Sequence, residues 1–65
     1  MKVKLTGNFV KTNEVLKNNY PPIYPFSNKV VEITGLRKGV LYMFFYEGEH
    51  YYGDRRYCTV EEIDE

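Results

Sequence analysis

From residue 2 to residue 10 polar and apolar positions alternate. Val3, Leu5, Gly7 and Phe9 fall on one side; Lys2, Lys4, Thr6 and Asn8 fall on the other. That period of two predicts a strand with one buried face, with Gly7 placed for a bulge or bend. The alternation breaks over residues 11–28. Residues 12–19 predict a single helical turn capped by Thr12 or Asn13. Tyr20-Pro21-Pro22-Ile23-Tyr24-Pro25-Phe26 follows, and its three prolines exclude both helix and interior strand. The segment is too apolar for a floppy linker, so it reads as an extended loop that lays Ile23 and Phe26 onto the body of the domain.

Alternation resumes over residues 28–34, with Val31 and Ile33 inward and Val30 and Glu32 outward. Gly35-Leu36-Arg37-Lys38-Gly39 reads as a turn with two glycines. Seven apolar or aromatic residues then run from Val40 to Tyr46. Glu47-Gly48-Glu49 predicts a tight hairpin, His50-Tyr51-Tyr52 the returning strand, and Gly53-Asp54-Arg55-Arg56 another turn. Tyr57-Cys58 starts a last short strand. Thr59-Val60-Glu61-Glu62 matches the capping-box pattern, which predicts a C-terminal helical turn.

Composition agrees with an all-β chain. There is no Ala, Gln or Trp, whereas seven Tyr and four Phe join the Val, Ile and Thr that favour strands. Sixty-five residues make one domain with a small core. Four or five antiparallel strands, a long Pro-rich first loop, tight hairpins and a short C-terminal helical turn describe a small β-barrel. The stretch from residue 28 to residue 65 resembles the SH3-like barrels, including their Tudor and KOW-type members. The resemblance rests on Val31-x-Ile33-Thr34-Gly35, Gly39, the strand to Tyr46, the Glu47-Gly48 turn and the closing Thr59-Val60-Glu61-Glu62-Ile63. It implies a fold and a general role in binding, and it carries over no ligand-contacting residue.

The strand ending at Tyr46 is apolar on both faces, so alternation alone does not orient it. Leu41, Met43 and Phe45 have no polar group to satisfy and are expected in the core. Tyr42, Phe44 and Tyr46 are then expected outward, as an aromatic ladder joined by a tyrosine of the next strand. A two-residue loop pairs Phe44 with Tyr51, and a three-residue loop pairs it with Tyr52. Either the Pro-rich loop folds over this ladder, or the ladder is an exposed patch for a protein partner or a second copy. The partner-binding set expected on the exposed reading is Tyr42, Phe44, Tyr46 and Tyr52, with Tyr20 and Tyr24 from the loop.

Charge changes the picture only as an alternative. Nine basic and nine acidic residues balance, but residues 1–46 hold seven bases and two acids, and residues 47–65 hold two bases and seven acids. A basic face of Lys2, Lys4, Arg37 and Lys38 beside aromatic rings would suit single-stranded nucleic acid. Zero net charge argues against it. His50 and Cys58 lack a third catalytic group, and with Asp54 they lack the paired spacing of zinc sites. No phosphate-binding glycine motif is present. The expectation is therefore a non-enzymatic module without metal or cofactor. A lone Cys and no long apolar run point to a cytoplasmic chain that does not enter a membrane. Richness in Lys, Asn, Tyr, Ile and Glu without Ala is typical of an AT-rich genome. It points to a phage or mobile-element accessory protein that modulates a host protein.

Overall fold

In the computed structural model, which describes residues 1–63, the N-terminal alternation becomes β1 (Lys2–Lys11). Val3, Leu5 and Phe9 are fully buried, as the period of two requires. A single helical turn, α1 (Thr12–Val15), follows, and then the loop leads into β2 (Tyr24–Glu32). The turn has no side-chain cap, because its N-cap position is Lys11, which carries no acceptor, and the Thr12 hydroxyl, expected as a cap, bonds His50 instead. β2 starts earlier than the prolines suggested. Pro25 is tolerated because β2 is an edge strand, bonded to β1 on one side only. Val31 and Ile33 point inward and Val30 and Glu32 outward, as expected.

The register between β1 and β2 slips by one residue between the Leu5↔Lys29 and Gly7↔Phe26 pairs. The extra residue lies in β2, where Asn28 takes the left-handed conformation (φ 51°) and its side chain accepts a hydrogen bond from Thr6. Gly7 (φ 104°) forms the facing bend. A Cβ there would stand 2.5 Å from the Tyr57 carbonyl oxygen, so only glycine fits.

Two expectations fail here for physical reasons. Residues 35–39 are not a turn: β3 (Thr34–Lys38) pairs with β4 (Leu41–Tyr46), with a bulge at Gly35 (φ 63°) that keeps Leu36 packed on the core. The C-terminal helical turn is also absent: after β5 (Glu49–Asp54) the chain enters β6 (Cys58–Glu62). The capping-box pattern loses to a period of two that buries Cys58 and Val60 while pairing with residues 3–7 of β1. Strand pairing satisfies the same backbone groups and buries more apolar surface than one isolated turn can.

Six antiparallel strands thus form one sheet in the order β2-β1-β5-β4-β3, with β6 also on β1. The sheet is not closed. β1 runs through both halves, bonding β2 and β6 along most of its length and β5 at Val10 and Lys11. The inner faces of the two halves meet in a core of Val3, Leu5, Phe9, Val31, Ile33, Phe44, Tyr51, Cys58 and Val60. No helix among the described residues is long and apolar enough to cross a membrane.

Candidate interaction surface

The β4–β5 hairpin decides which aromatic residues are available. Its loop has two residues, Glu47 (φ 52°) and Gly48 (φ 77°), both in the left-handed region that a type I′ turn needs. Phe44 therefore pairs with Tyr51, Phe45 with His50 and Met43 with Tyr52. Directly opposed residues share a face, so Phe44 and Tyr51 stand together, with ring centroids 5.7 Å apart in a stacked pair.

That face is the inner one, and the expected orientation of β4 is inverted. Phe44 is 0% exposed, and Tyr42 and Tyr46 pack against the core beside it. Phe45, expected in the core, is 48% exposed. The reason is the opposing half of the sheet. Phe9 meets Phe44 edge-on at 5.4 Å and Phe26 at 5.7 Å, and Phe26 also meets Tyr46 and Tyr51. Tyr24 meets Tyr51 at 5.8 Å. The end of the Pro-rich segment thus covers the ladder and is itself part of the core. Burying these rings against other rings is worth about 2–3 kcal/mol each, which outweighs the small cost of placing phenol hydroxyls at the rim.

The covering ring of Tyr24 is pinned by a polar cluster. Its hydroxyl donates to the Glu14 carboxylate, and Lys11 Nζ sits 4.8 Å from the Tyr24 ring centre and 5.6 Å from that of Tyr51. Glu14 also lies 3.9 Å from the Lys11 ammonium. The hydrogen bond to Glu14 raises the Tyr24 pKa above its usual value, and burial raises that of Tyr51. Desolvation works against the Lys11 ammonium, yet Tyr51, Tyr24, Glu49 and Glu14 together raise its pKa. Held in this way, Lys11 ties β1 to β2 and β5. The cluster is a structural clasp.

The more open face is the outer side of β4 and β5, exposed at Phe45 and half-buried at Leu41, Met43 and Tyr52. By alternation Leu41, Met43 and Phe45 share it with His50, Tyr52 and Asp54, and Val10 joins through its pairing with Tyr52. Val40, at the near end, is 75% exposed. At the hairpin end an open cleft of about 380 Å³ is lined by Thr12, Asn13, Leu16, Phe45, Gly48, Glu49 and His50. Its floor is fixed: Thr12 and His50 Nδ1 share a 2.6 Å hydrogen bond, and the Phe45 ring sits edge-on to His50 at 4.8 Å.

The expected partner-binding residues therefore separate. Tyr20 is exposed, and Tyr52 stands half-buried on the outer face. Tyr42, Phe44, Tyr46 and Tyr24 belong to the inner cluster. Val10, Leu41, Met43 and Phe45 stand on the outer face instead, and the sequence did hold the signal for this. On β5 the polar His50 and Asp54 mark the face opposite to Tyr51, and a two-residue loop transfers that marking to Phe45, Met43 and Leu41.

The basic candidates do not form one free patch. Lys4 pairs with Glu61 at 3.3 Å and Lys38 with Glu62 at 3.2 Å. Arg37 stands exposed, opposite Met43, at the sheet edge. The charge division along the chain is cancelled in space where β6 lies on β1. His50 and Cys58 are on opposite faces. His50 faces outward with Phe45, while Cys58 lies in the core, its thiol donating to the Asp54 carbonyl at 3.1 Å. Burial pushes that thiol up, so it behaves as a small apolar side chain. Asp54 is held below the usual carboxylate value by hydrogen bonds from Arg56. Compared with known proteins, the chain matches no family model, no curated protein and no solved structure.

Proposed function

We propose that this chain is a small non-enzymatic binding module that docks a protein partner on the outer face of β4 and β5. One observation carries the reading: β4 is apolar on both faces, and its outer face is half-buried at Leu41 and Met43 and open at Phe45. Leu41, Met43 and Phe45, with Val10 and Tyr52 beside them, share one apolar face. Soluble chains seldom leave such a surface without a use. Met and aromatic residues are enriched at interface centres, and a preformed strand pair loses little entropy on docking. Arg37 and Arg55, exposed and without an ion pair among the described residues, would set the orientation of the partner.

The SH3-like barrel is kept as part of this proposal. A bent sheet with β1 running through both halves supports it, and a closed ladder of hydrogen bonds is what it lacks. The composition supports the rest: an accessory protein of a phage or mobile element, acting in the host cytoplasm on a host protein. The Lys4–Glu61 and Lys38–Glu62 pairs make nucleic acid a weaker alternative, because phosphates would have to displace carboxylates.

The test is affinity capture from lysate of a low-GC bacterium, with and without nuclease, using the parent chain and Phe45→Asp side by side. The expected result is one stoichiometric protein band that survives nuclease and disappears with Phe45→Asp. A band that persists with the variant moves the site off this face. Loss on nuclease treatment favours nucleic acid. A concentration-dependent dimer that the same substitution abolishes assigns the face to a second copy.

A further inference from the structure

The loop between α1 and β2 contains two kinds of residue. Tyr24 and Phe26 turn inward and complete the core, as described above. The stretch before them does the opposite. Tyr20 is 93% exposed and Ile23 60%, and Pro22 and Pro25 are exposed as well. Among the described residues no backbone hydrogen bond joins residues 19–23 to the rest of the fold. These apolar groups add nothing to the core.

The shape of this stretch is nevertheless set. All its peptide bonds are trans. Three prolines hold φ near −65°, and the residue before each proline is driven to extended backbone. Residues 21–23, between the bend at Asn19–Tyr20 and the start of β2 at Tyr24, are therefore restricted to extended backbone, whose conformational entropy is already low before anything binds. Both ends are anchored on one residue. The Asn18 backbone and side-chain amides donate to the Glu14 carbonyl at 3.0 and 3.2 Å, and the Tyr24 hydroxyl donates to the Glu14 carboxylate. Between these anchors the chain presents Tyr20, Pro22, Ile23 and Pro25 to solvent.

We propose that residues 20–23, with the exposed Pro25 ring just beyond them, are a displayed proline-rich ligand for a protein groove lined with aromatic side chains and rimmed with carboxylates. Proline rings and the Tyr20 ring offer flat faces that aromatic walls can stack against. The unpaired carbonyls accept hydrogen bonds from indole or phenol donors in such a groove. The charge requirement comes from the flanks. Lys17 and Lys29 bracket the segment, no acid occurs between residues 15 and 31, and Lys17 is exposed without an ion pair among the described residues. This surface is separate from the outer sheet face and does not depend on it.

The probe is a panel of purified proline-binding domains of the SH3, WW and EVH1 types, each with tryptophan in its groove. This chain has no Trp, so the domain's emission reports binding without background. At least one domain with an acidic rim should saturate below about 100 μM. Pro21→Ala combined with Pro22→Ala, and separately Tyr20→Ala, should each weaken that binding about tenfold or more. Neither should alter the circular dichroism, because Tyr20 and Pro22 are exposed and the half-buried Pro21 lies outside every strand. Met43→Asp, on the outer sheet face, should leave the titration unchanged. Absence of saturation by about 1 mM across the panel overturns the proposal. So does binding that the loop variants leave intact, or binding that Met43→Asp abolishes.

Discussion

The β1–β2 pair and the β4–β5 pair are both antiparallel, both rich in apolar residues and both half of the same core. They differ in how firmly their sequences orient them. In β1 each buried Val3, Leu5 or Phe9 is separated from the next by polar or small residues, so a one-residue rotation would bury Lys4 and expose Leu5. Such a slip costs several apolar side chains at once. In β4 the alternatives are Leu41, Met43, Phe45 and Tyr42, Phe44, Tyr46, and both are apolar. Its orientation is settled by what stands opposite: Phe9 and Phe26 accept the ring set, and the other set is left facing outward. A strand with two apolar faces in a small domain therefore marks a surface as well as a core.

The largest effect should come from substitutions that separate the two faces of β4. Phe44→Ala removes a fully buried ring and should cost about 3–5 kcal/mol, enough to unfold much of so small a domain. Phe45→Ala should stay within about 1 kcal/mol of the parent. Urea unfolding followed by circular dichroism measures both. Equal losses would mean that the outer face is covered in the folded chain.

A smaller contrast separates the bend of β1 from the tip of the β4–β5 hairpin. Both Gly7 and Gly48 have positive φ. At Gly7 an added Cβ also meets the Tyr57 carbonyl and the Cys58 backbone, which cannot move aside, whereas at Gly48 nothing lies within 4 Å. Gly48→Ala should cost about 1 kcal/mol, from backbone conformation alone, and Gly7→Ala at least about 2 kcal/mol. Thermal melting of the two variants reads the difference directly.

How much of this was legible in the sequence follows from the same contrast. The inward positions of β1 and of the second half of β2 could be read because polar residues punctuate them. The faces of β4 could not be read from β4 itself, since the packing partners lie some 20–35 residues away, and the marking by His50 and Asp54 reaches it only once the two-residue loop is known. β6 was obscured because Thr59 and Glu62 suit a helix cap, whereas in the strand Thr59 takes an outer position and Glu62 is exposed only as the last residue. The Lys4–Glu61 pair needed the β1–β6 register, which local pattern does not hold. Gly35 signalled a turn because glycine serves turns and bulges alike. The Pro-rich segment held both of its roles at once: Phe26 was expected on the body of the domain and is there, while Ile23 was expected beside it and is exposed.

The smallest effect is confined to alkaline pH and tests the clasp that holds Tyr24 over the ladder. Tyr24, Tyr51 and Lys11 all have folded-state pKa values raised above their ordinary ones. The folded state therefore holds these protons more tightly. The stabilisation is fully present below about pH 10 and is lost as pH rises through the raised values. Melting temperature should fall from about pH 10 upward, and Tyr24→Phe, which removes the hydroxyl bonded to Glu14, should make that fall shallower. An identical alkaline limb in the parent and Tyr24→Phe would remove Tyr24 from the clasp.

The orientation of β4 underlies both the core and the proposed docking face, and hydroxyl-radical footprinting of the unmodified chain tests it most directly. Mass spectrometry resolves oxidation at adjacent residues, so one sample reads both faces. The expected result is ready modification of Phe45 with protection of Phe44 and Tyr51. Modification of Phe44 as fast as Phe45 would contradict the account, because it would put the aromatic ladder in solvent and return the outer set to the core.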